Sequence, residues 1–217
     1  MKILLFANGD EPNEGWDWAR AYVSPTSILI AADGGSRHIK SLGLYPDIIV
    51  GDLDSFDDVR DGGKQFGNSS LVTFQEDKDE SDLELALIHA ASLDPEAILV
   101  FGAAGGRLDQ TISNALLLAL PELEGLRVQI MQPHQSAWRF DRTTVIKGQK
   151  GDLVSLLPLW GDAVVQSTSG LKWSLSNERL APGPARGISN ELISPKAVVT
   201  LSSGSLLCVH TERSWKR

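Results

Sequence analysis

The sequence has 217 residues, 42% of them hydrophobic and 22% charged, an ordinary globular composition that argues against intrinsic disorder. A formal net charge of −8 excludes general nucleic-acid binding, which relies on basic surfaces to neutralise phosphates. The single cysteine, Cys208, excludes an intrachain disulfide, and its apolar neighbours predict a small core residue. No run reaches the ~20 apolar residues of a membrane span, and the apolar run at residues 3–7 is too short for a secretory signal, so we expect a cytoplasmic protein.

The first part of the chain alternates short apolar runs with helical segments. The runs are nearly continuous, which is typical of strands covered on both faces in a parallel sheet, and they occupy residues 3–7, 28–31, 47–50, 71–74, 97–101 and 127–131. Ser81 and Glu84 have the spacing of a capping box and predict the start of a helix. The apolar face of this helix comprises Leu83, Ala86, Leu87 and Ala90.

A second helix is predicted before Pro121, which would end it. Its apolar face comprises Leu108, Ile112, Ala115, Leu116 and Ala119. This alternation of strands and helices predicts an α/β domain with an open, doubly wound, mostly parallel sheet.

The residue pattern of the sequence changes near residue 136. Short runs rich in Val, Thr, Leu and Trp alternate with turn residues and predict strands at 138–140, 143–146, 153–157, 163–168, 197–201 and 206–210. Their spacing is typical of a small all-β sandwich. We therefore expect two domains, at residues 1–134 and 135–217.

Acidic and glycine-rich turns follow the predicted strands of the first domain. They contain Asn8-Gly9, Asp33-Gly34-Gly35, the segment 51–55, the segment 75–82 and the segment 102–109. In a parallel sheet these turns share the edge at the carboxyl ends of the strands, where open α/β sheets bind ligands. The convergence of Asp and Gly at one edge predicts a metal–phosphate site.

Individual residues within these turns have structural as well as functional interpretations. Asp52 and Asp54 are separated by one residue, so on an extended segment both carboxylates point the same way and suit Mg²⁺, although a surface turn would also explain them. Asp82 and Asp109 lie in the first turns of predicted helices, where the helix dipole alone favours an acid. The glycines before Arg107 could admit phosphates to backbone amides or serve a tight connection.

The four histidines (His38, His89, His134 and His210) have no metal-ligand spacing. No serine occupies a nucleophile elbow, which disfavours covalent hydrolase chemistry.

Seven blocks of the sequence resemble, in order, those of the thiamine pyrophosphokinases. They are ADGG at 32–35, PD at 46–47, GDLDS at 51–55, DKDESD at 77–82, GGRLDQ at 105–110, TSGLKWSL at 168–175 and GISNE at 187–191. The resemblance implies an N-terminal α/β domain that binds ATP and Mg²⁺ and a C-terminal sandwich that binds thiamine. It also implies a homodimer whose active site lies between subunits.

The resemblance assigns roles to particular residues. Asp52, Asp54, Asp82 and Asp109 match the acidic catalytic residues, and the first three would hold the metal. The residues that would contact the nucleotide are Asn8, Asp33, Gly34, Gly35, Lys78, Gly105, Gly106 and Arg107. The residues that would contact the second substrate are Asp79, Gln110, Trp173, Ser189 and Asn190. Trp173 could stack on cationic thiamine, although a sandwich-core Trp is the alternative.

The expected reaction is transfer of the pyrophosphoryl group of ATP to the thiamine hydroxyl. Two alternatives stay open at this point: a pyrophosphokinase for another hydroxymethyl heterocycle such as a pterin, and a non-catalytic thiamine-binding module.

Overall fold

The computed structural model describes residues 1–51, 69–73 and 79–216. The chain divides into two compact units, Met1–Pro133 and His134–Arg217.

In the part of the chain that the structure describes, unit 1 contains a parallel sheet of six strands. They are β1 (Lys2–Phe6), β2 (Ile28–Ala32), β3 (Ile48–Gly51), β4 (Ser70–Thr73), β5 (Ala97–Phe101) and β6 (Val128–Gln132). Their order across the sheet is β6-β5-β1-β2-β3-β4, and every neighbouring pair is parallel. The core strands β1 and β5 are buried almost throughout, because helices and loops cover both faces. The expected doubly wound, parallel α/β architecture is confirmed.

The described residues include three α-helices beside the sheet: α1 (Ser36–Ser41), α2 (Asp82–Ser92) and α3 (Leu108–Leu116). Short 3₁₀ segments cover Asp17–Tyr22, Asp33–Gly35, Leu117–Ala119 and Pro121–Leu123. The predicted cap of α2 is confirmed, since Ser81 Oγ accepts a hydrogen bond of 3.2 Å from the Glu84 N–H. Its predicted apolar face is buried at all four positions. None of the helices in the described part of the chain is long and apolar enough to span a membrane.

Helix α3 forms where the sequence predicts a helix, but its apolar face is exposed. Leu108 is 73% exposed and Ile112 is 52% exposed, and α3 buries no residue completely. The reason is the orientation of α3 relative to the sheet of unit 1. The opposite face, which carries Gln110, Ser113 and Asn114, is the one that borders a cleft at the edge of the sheet.

An aromatic cluster fills one side of the sheet in unit 1. Phe6 and Phe101 stack with ring centroids 4.8 Å apart, and Trp16 meets Phe6 edge-on at 5.8 Å. Phe6, Phe101 and Trp16 are all buried. These contacts fix the carboxyl ends of β1 and β5 relative to each other.

Unit 2 is a sandwich of two antiparallel sheets. Its strands are β7 (Gln135–Phe140), β8 (Thr143–Lys147), β9 (Leu153–Leu157), β10 (Ala163–Ser169), β11 (Ser176–Leu180), β12 (Asn190–Glu191), β13 (Lys196–Ser203) and β14 (Leu206–Thr211). One sheet has the order β12-β9-β14-β7 and the other β11-β10-β13-β8. Their inner faces share one core, to which Leu156 and Cys208 contribute from the first sheet and Val165 and Val199 from the second. The expected sandwich is confirmed.

Strands β11 and β12 were not predicted from the sequence. The residues of β11 are Ser-Asn-Glu-Arg-Leu, of which only Leu180 is buried, so this edge strand has no apolar alternation to detect. Strand β12 has two residues and, among the described strands, pairs only with β9.

A buried carboxylate ties together the end of β14 and the turn before β9. Asp152 is 3% exposed and accepts hydrogen bonds from the backbone N–H of Gln149 (2.7 Å) and of Arg213 (2.9 Å). Its third partner is the Nε2 atom of His210, at 2.9 Å. Burial alone would raise the pKa of Asp152, but these donors outweigh it and lower that pKa.

Candidate active site

The main cleft of unit 1 lies where the chain reverses its direction across the sheet. Strand β2 lies on one side of β1, whereas β5 lies on the other. The carboxyl ends of strands beside such a reversal form a crevice in open α/β sheets. Here the crevice has a volume of about 280 Å³, and the segments that follow β1, β2 and β5 line it together with the first turn of α2 and the polar face of α3.

The loop after β1 is tightly fixed against its neighbours. The Gly9 N–H donates to the Gly102 oxygen at 2.9 Å, and the Asn8 side-chain amide donates to Asp33 Oδ2 at 2.8 Å. A β-carbon on Gly9 would lie 2.1 Å from the Gly102 oxygen, and one on Gly34 would lie 2.4 Å from Asn8 Oδ1. Gly9 and Gly34 are therefore required for the close packing of the loops after β1, β2 and β5, independently of any ligand that these loops bind.

Two acids, Asp33 and Asp82, form one wall of the cleft. Asp33 has a left-handed backbone (φ 48°), and its buried Oδ1 atom has no hydrogen-bond partner among the residues that the structure describes. A β-carbon on Gly51, the last residue of β3, would lie 3.4 Å from Asp33 Cα and 3.7 Å from Asp82 Oδ1. The ends of β2 and β3 and the start of α2 therefore meet, as the parallel sheet predicts.

Three predicted site residues, Asp52, Asp54 and Lys78, lie outside the described residues. Within the part of the chain that the structure describes, no three His, Cys, Asp or Glu residues form a group that could hold a metal. Two of the three predicted metal ligands thus fall in the segment that directly follows Gly51 in the sequence. The assignment of a metal to this site stays a prediction.

Arg107 and Asp109, which the sequence places in the site, bind each other and do not line the cleft. The guanidinium makes two hydrogen bonds to the carboxylate, one of them 3.1 Å from Nε to Oδ1, and both side chains are about two-thirds exposed (68% and 66%). The hydrogen bonds from Arg107 lower the pKa of Asp109. Asp79 is exposed and also lies outside the cleft lining.

The other predicted residues of unit 1 divide into two sets. Asn8, Asp33, Asp82, Gly105 and Gln110 line the cleft together. Gly34, Gly35 and Gly106 do not line it and instead admit close neighbours. A β-carbon on Gly106 would lie 2.3 Å from Asp10 Oδ2, and one on Gly35 would lie 1.9 Å from the Phe6 oxygen.

Several cleft residues were not predicted from the sequence: Glu80, Ser113 and Asn114 all contribute to the lining. Asn114 also donates from its side chain to the Ala103 oxygen at 2.8 Å and so fixes the loop after β5. Gln110, Ser113 and Asn114 have the spacing i, i+3, i+4, so a polar stripe on the helix was the available signal.

Unit 2 has a separate cleft of about 270 Å³ beside Trp173. Trp173 is 50% exposed, so it is not a residue of the sandwich core. The Lys172 ammonium lies 4.8 Å from its ring centroid and 3.3 Å from Glu191 Oε2. The exposed ring can therefore accept a cation on its face.

The other two predicted residues of this cleft support its shape. Asn190 is 4% exposed; its Oδ1 accepts from the Trp173 N–H at 3.1 Å and its Nδ2 donates to the Trp173 oxygen at 2.7 Å. Ser189 has a left-handed backbone (φ 57°), and its N–H donates to Ser155 Oγ at 3.0 Å. Asn190 thus uses its amide to hold the backbone of Trp173.

Two families of domains match the two units of the chain. Residues 19–130 match the thiamin pyrophosphokinase catalytic domain, and residues 142–208 match the thiamin pyrophosphokinase vitamin B1 binding domain. The chain belongs to the thiamin pyrophosphokinase family. The resemblance drawn from the seven sequence blocks is confirmed.

Relatives from bacteria and plants are similar over most of their length. The chain is 26% identical to the thiamine pyrophosphokinase of Bacillus subtilis, over 88% of this chain and 90% of that one. It is 29% identical to thiamine pyrophosphokinase 2 of Arabidopsis thaliana, over 83% and 76%. The crystal structure of the Geobacillus thermodenitrificans thiamin pyrophosphokinase superposes with a TM-score of 0.85 at 25% identity and covers 99% of both chains.

Proposed function

We propose that this protein transfers the pyrophosphoryl group of ATP to the hydroxyl of thiamine, giving thiamine diphosphate and AMP. The observation that carries the proposal is the presence, in one chain, of both family domains, each with a cleft of suitable chemistry. The cleft of unit 1 is acidic and is bordered by backbone loops, and the cleft of unit 2 has an exposed aromatic ring. The first suits a nucleotide with its metal ion, and the second suits a flat cation.

We assign the nucleotide to the cleft of unit 1. The loop of Asn8 and Gly9 and the loop at Gly102–Gly105 would border the phosphates, which backbone N–H groups can bind. We assign Mg²⁺ to the carboxylates of Asp82, Asp52 and Asp54. The donors fit a hard cation, because they are carboxylate oxygens and because Asp33, which lines the same cleft as Asp82, adds a buried oxygen that has no partner within the described chain.

The reaction would follow the usual logic of phosphoryl-type transfer, in which positioning and charge stabilisation dominate. The thiamine hydroxyl would attack the β-phosphorus in line, with AMP as the leaving group. Bound Mg²⁺ supplies charge neutralisation on the phosphate oxygens. Asp82 or Asp54 would accept the proton of the hydroxyl. Arg107 would exchange its bond to Asp109 for a phosphate contact, since a guanidinium binds either anion in the same bidentate way.

We assign thiamine to the cleft beside Trp173. The ring would stack on the substrate, and Ser189 and Asn190 would shape the lining of the same cleft. A desolvated cation–π contact is worth up to ~2 kcal/mol. The match to a vitamin B1 binding domain favours thiamine over a pterin.

We further propose a cytoplasmic homodimer with the active site near the subunit interface. The exposed apolar face of α3, with Leu108 and Ile112, supports a second copy of the chain as its partner. Light scattering on wild type and on Ile112→Glu tests this proposal. A wild-type monomer at micromolar concentration would refute it.

The decisive test is product analysis of purified protein with ATP, Mg²⁺ and thiamine. AMP and thiamine diphosphate should form in equal amounts. Inorganic phosphate instead would indicate a phosphatase, and thiamine binding without turnover would indicate a non-catalytic module. Turnover with a hydroxymethylpterin but not with thiamine would favour the other pyrophosphokinase.

Asp82→Asn tests the assigned carboxylate, and Asp94→Asn is its matched control just beyond the C-terminal end of the same helix. Asp94 is exposed, lies two residues after α2 ends and has φ 51°, a conformation that Asn also tolerates. We expect kcat to fall at least about a hundredfold for Asp82→Asn and to stay within twofold for Asp94→Asn. Equal activities would remove Asp82 from the mechanism.

A further inference from the structure

A buried histidine lies directly behind the loop that borders the nucleotide cleft. His38, in α1, is 3% exposed, and its Nε2 atom lies 2.8 Å from the backbone oxygen of Gly9. A carbonyl oxygen can only accept, so Nε2 must carry the hydrogen. Burial lowers the pKa of His38 and favours the neutral ring, in which this one nitrogen donates.

The ring of His38 is held in place from its other side. Its centroid lies 4.5 Å from that of Trp16, with the two planes inclined at 45°. Trp16 is itself 3% exposed and packs on Phe6 of β1. In the described ranges the indole N–H of Trp16 has no hydrogen-bond partner, and its contact with His38 is ring packing. The histidine therefore has little freedom to move away from Gly9.

The bond to Gly9 acts on a peptide that matters for ligand binding. Gly9 lines the cleft, and its own N–H is already bound to the Gly102 oxygen. Because a trans peptide is planar, holding the Gly9 oxygen also fixes the direction of the Asp10 N–H on the opposite side. The neighbouring Arg37 adds bonds of 3.3 Å to the oxygens of Asn8 and Gly9, but its side chain is exposed.

We propose that His38 is a positioning residue for nucleotide binding, which fixes the Asn8–Gly9 loop through its bond to the Gly9 oxygen. This inference rests on the proposed function, because it takes the cleft of unit 1 as the ATP site. His38 does not touch the substrate. It acts by holding the peptide planes of the loop in the orientation that the phosphates meet.

The test compares a variant that removes the donor with one that retains it. His38→Leu fills a similar volume without a hydrogen-bond donor, whereas His38→Gln can place an amide N–H close to the position of Nε2. His89→Leu is the matched control, since His89 is partly exposed on α2 and does not line the cleft. ATP with Mg²⁺ is titrated into each protein without thiamine by calorimetry, and the KM values for ATP and thiamine are measured separately.

We expect His38→Leu to weaken ATP binding and to raise KM for ATP about tenfold, because the variant loses one buried hydrogen bond. KM for thiamine should stay within twofold, and His38→Gln should restore ATP binding to within threefold of wild type. An ATP affinity of His38→Leu within twofold of wild type would overturn the inference. Equal losses for ATP and thiamine, or no rescue by Gln, would also overturn it, since they indicate a general loss of structure.

A substitute variant and measurements on the wild-type protein separate a failure of the His38 proposal from a failure of the proposed function. If His38→Leu does not fold, His38→Asn replaces it, because its shorter side chain cannot reach Gly9 and the same tenfold loss is expected. A wild-type protein that binds ATP but forms no thiamine diphosphate would refute the proposed function and leave His38 to be judged from binding alone. A wild-type protein that binds no ATP would overturn both.

Discussion

Replacing the buried carboxylate of Asp152 by an amide should destabilise the sandwich of unit 2. In Asp152→Asn the single side-chain oxygen can face either Arg213 or the pair formed by Gln149 and His210. In the less costly orientation the amide NH₂ confronts the Arg213 N–H, and a buried donor loses its acceptor. One charge-assisted hydrogen bond is lost and two are weakened, so we expect the free energy of unfolding to fall by about 3 kcal/mol.

Urea titration with hydrogen-exchange mass spectrometry resolves this effect, because peptides from β9 and β14 report on unit 2 and peptides from β1 and β5 on unit 1. Asp162→Asn is the matched control. Asp162 is an acid of the same unit, but its ion pair with Arg179 is exposed at the surface. Breaking such a pair should cost less than about 1 kcal/mol.

The pH dependence of the Asp152→Asn effect has a definite sign. The pKa of Asp152 in the folded protein lies below its ordinary value of 3.8. The carboxylate therefore stabilises the fold fully above that ordinary value, and this contribution is lost as the pH falls through the folded pKa. The difference between wild type and Asp152→Asn should be larger at pH 5 than at pH 2. A difference below 1 kcal/mol at pH 5, or one that does not shrink on acidification, would refute the reasoning.

Three further predictions concern a close backbone approach at Gly35, the exposed ring of Trp173 and the metal ion. Gly35→Ala places a β-carbon 1.9 Å from the Phe6 oxygen, so calorimetry should show a loss of at least about 2 kcal/mol of stability; an unchanged melting temperature would contradict this. Trp173→Ala should raise KM for thiamine about thirtyfold and leave KM for ATP within twofold, whereas Trp215→Ala, at another exposed tryptophan of unit 2, should change neither. Removal of Mg²⁺ with EDTA should abolish AMP formation and added Mg²⁺ should restore it; persistent turnover would exclude the metal.

The fold was predictable where local sequence signals agree with burial. The apolar runs at β1 and β5 predicted strands buried on both faces, and the structure has buried strands there. Ser81 caps the start of α2, as the sequence predicted, by accepting a hydrogen bond from the Glu84 N–H. Strand β11 was not predictable, since an edge strand with one buried residue is held by its hydrogen bonds to β10 and not by its side chains.

The candidate site was predictable in outline but not in the detail of its contacts. The parallel sheet brings Asp33 and Asp82 to one cleft, because strand ends at one edge converge. The sequence spacing of Arg107 and Asp109 could not reveal that they bind each other and lie outside that cleft. The contact of His38 could not be predicted for a similar reason: its partner is a backbone oxygen 29 residues away, which no side-chain motif encodes.

The burial of Cys208 gives the protein a built-in chemical reporter. Its side chain is 0% exposed between the two sheets, so an alkylating reagent cannot reach it in the closed sandwich. Burial also raises the pKa of the thiol, which disfavours the reactive thiolate. It is also the only thiol in the sequence. The rate at which an alkylating agent modifies native protein therefore measures how often unit 2 opens, without any engineered label. The same protection allows the enzyme to be handled under air without crosslinking through cysteine.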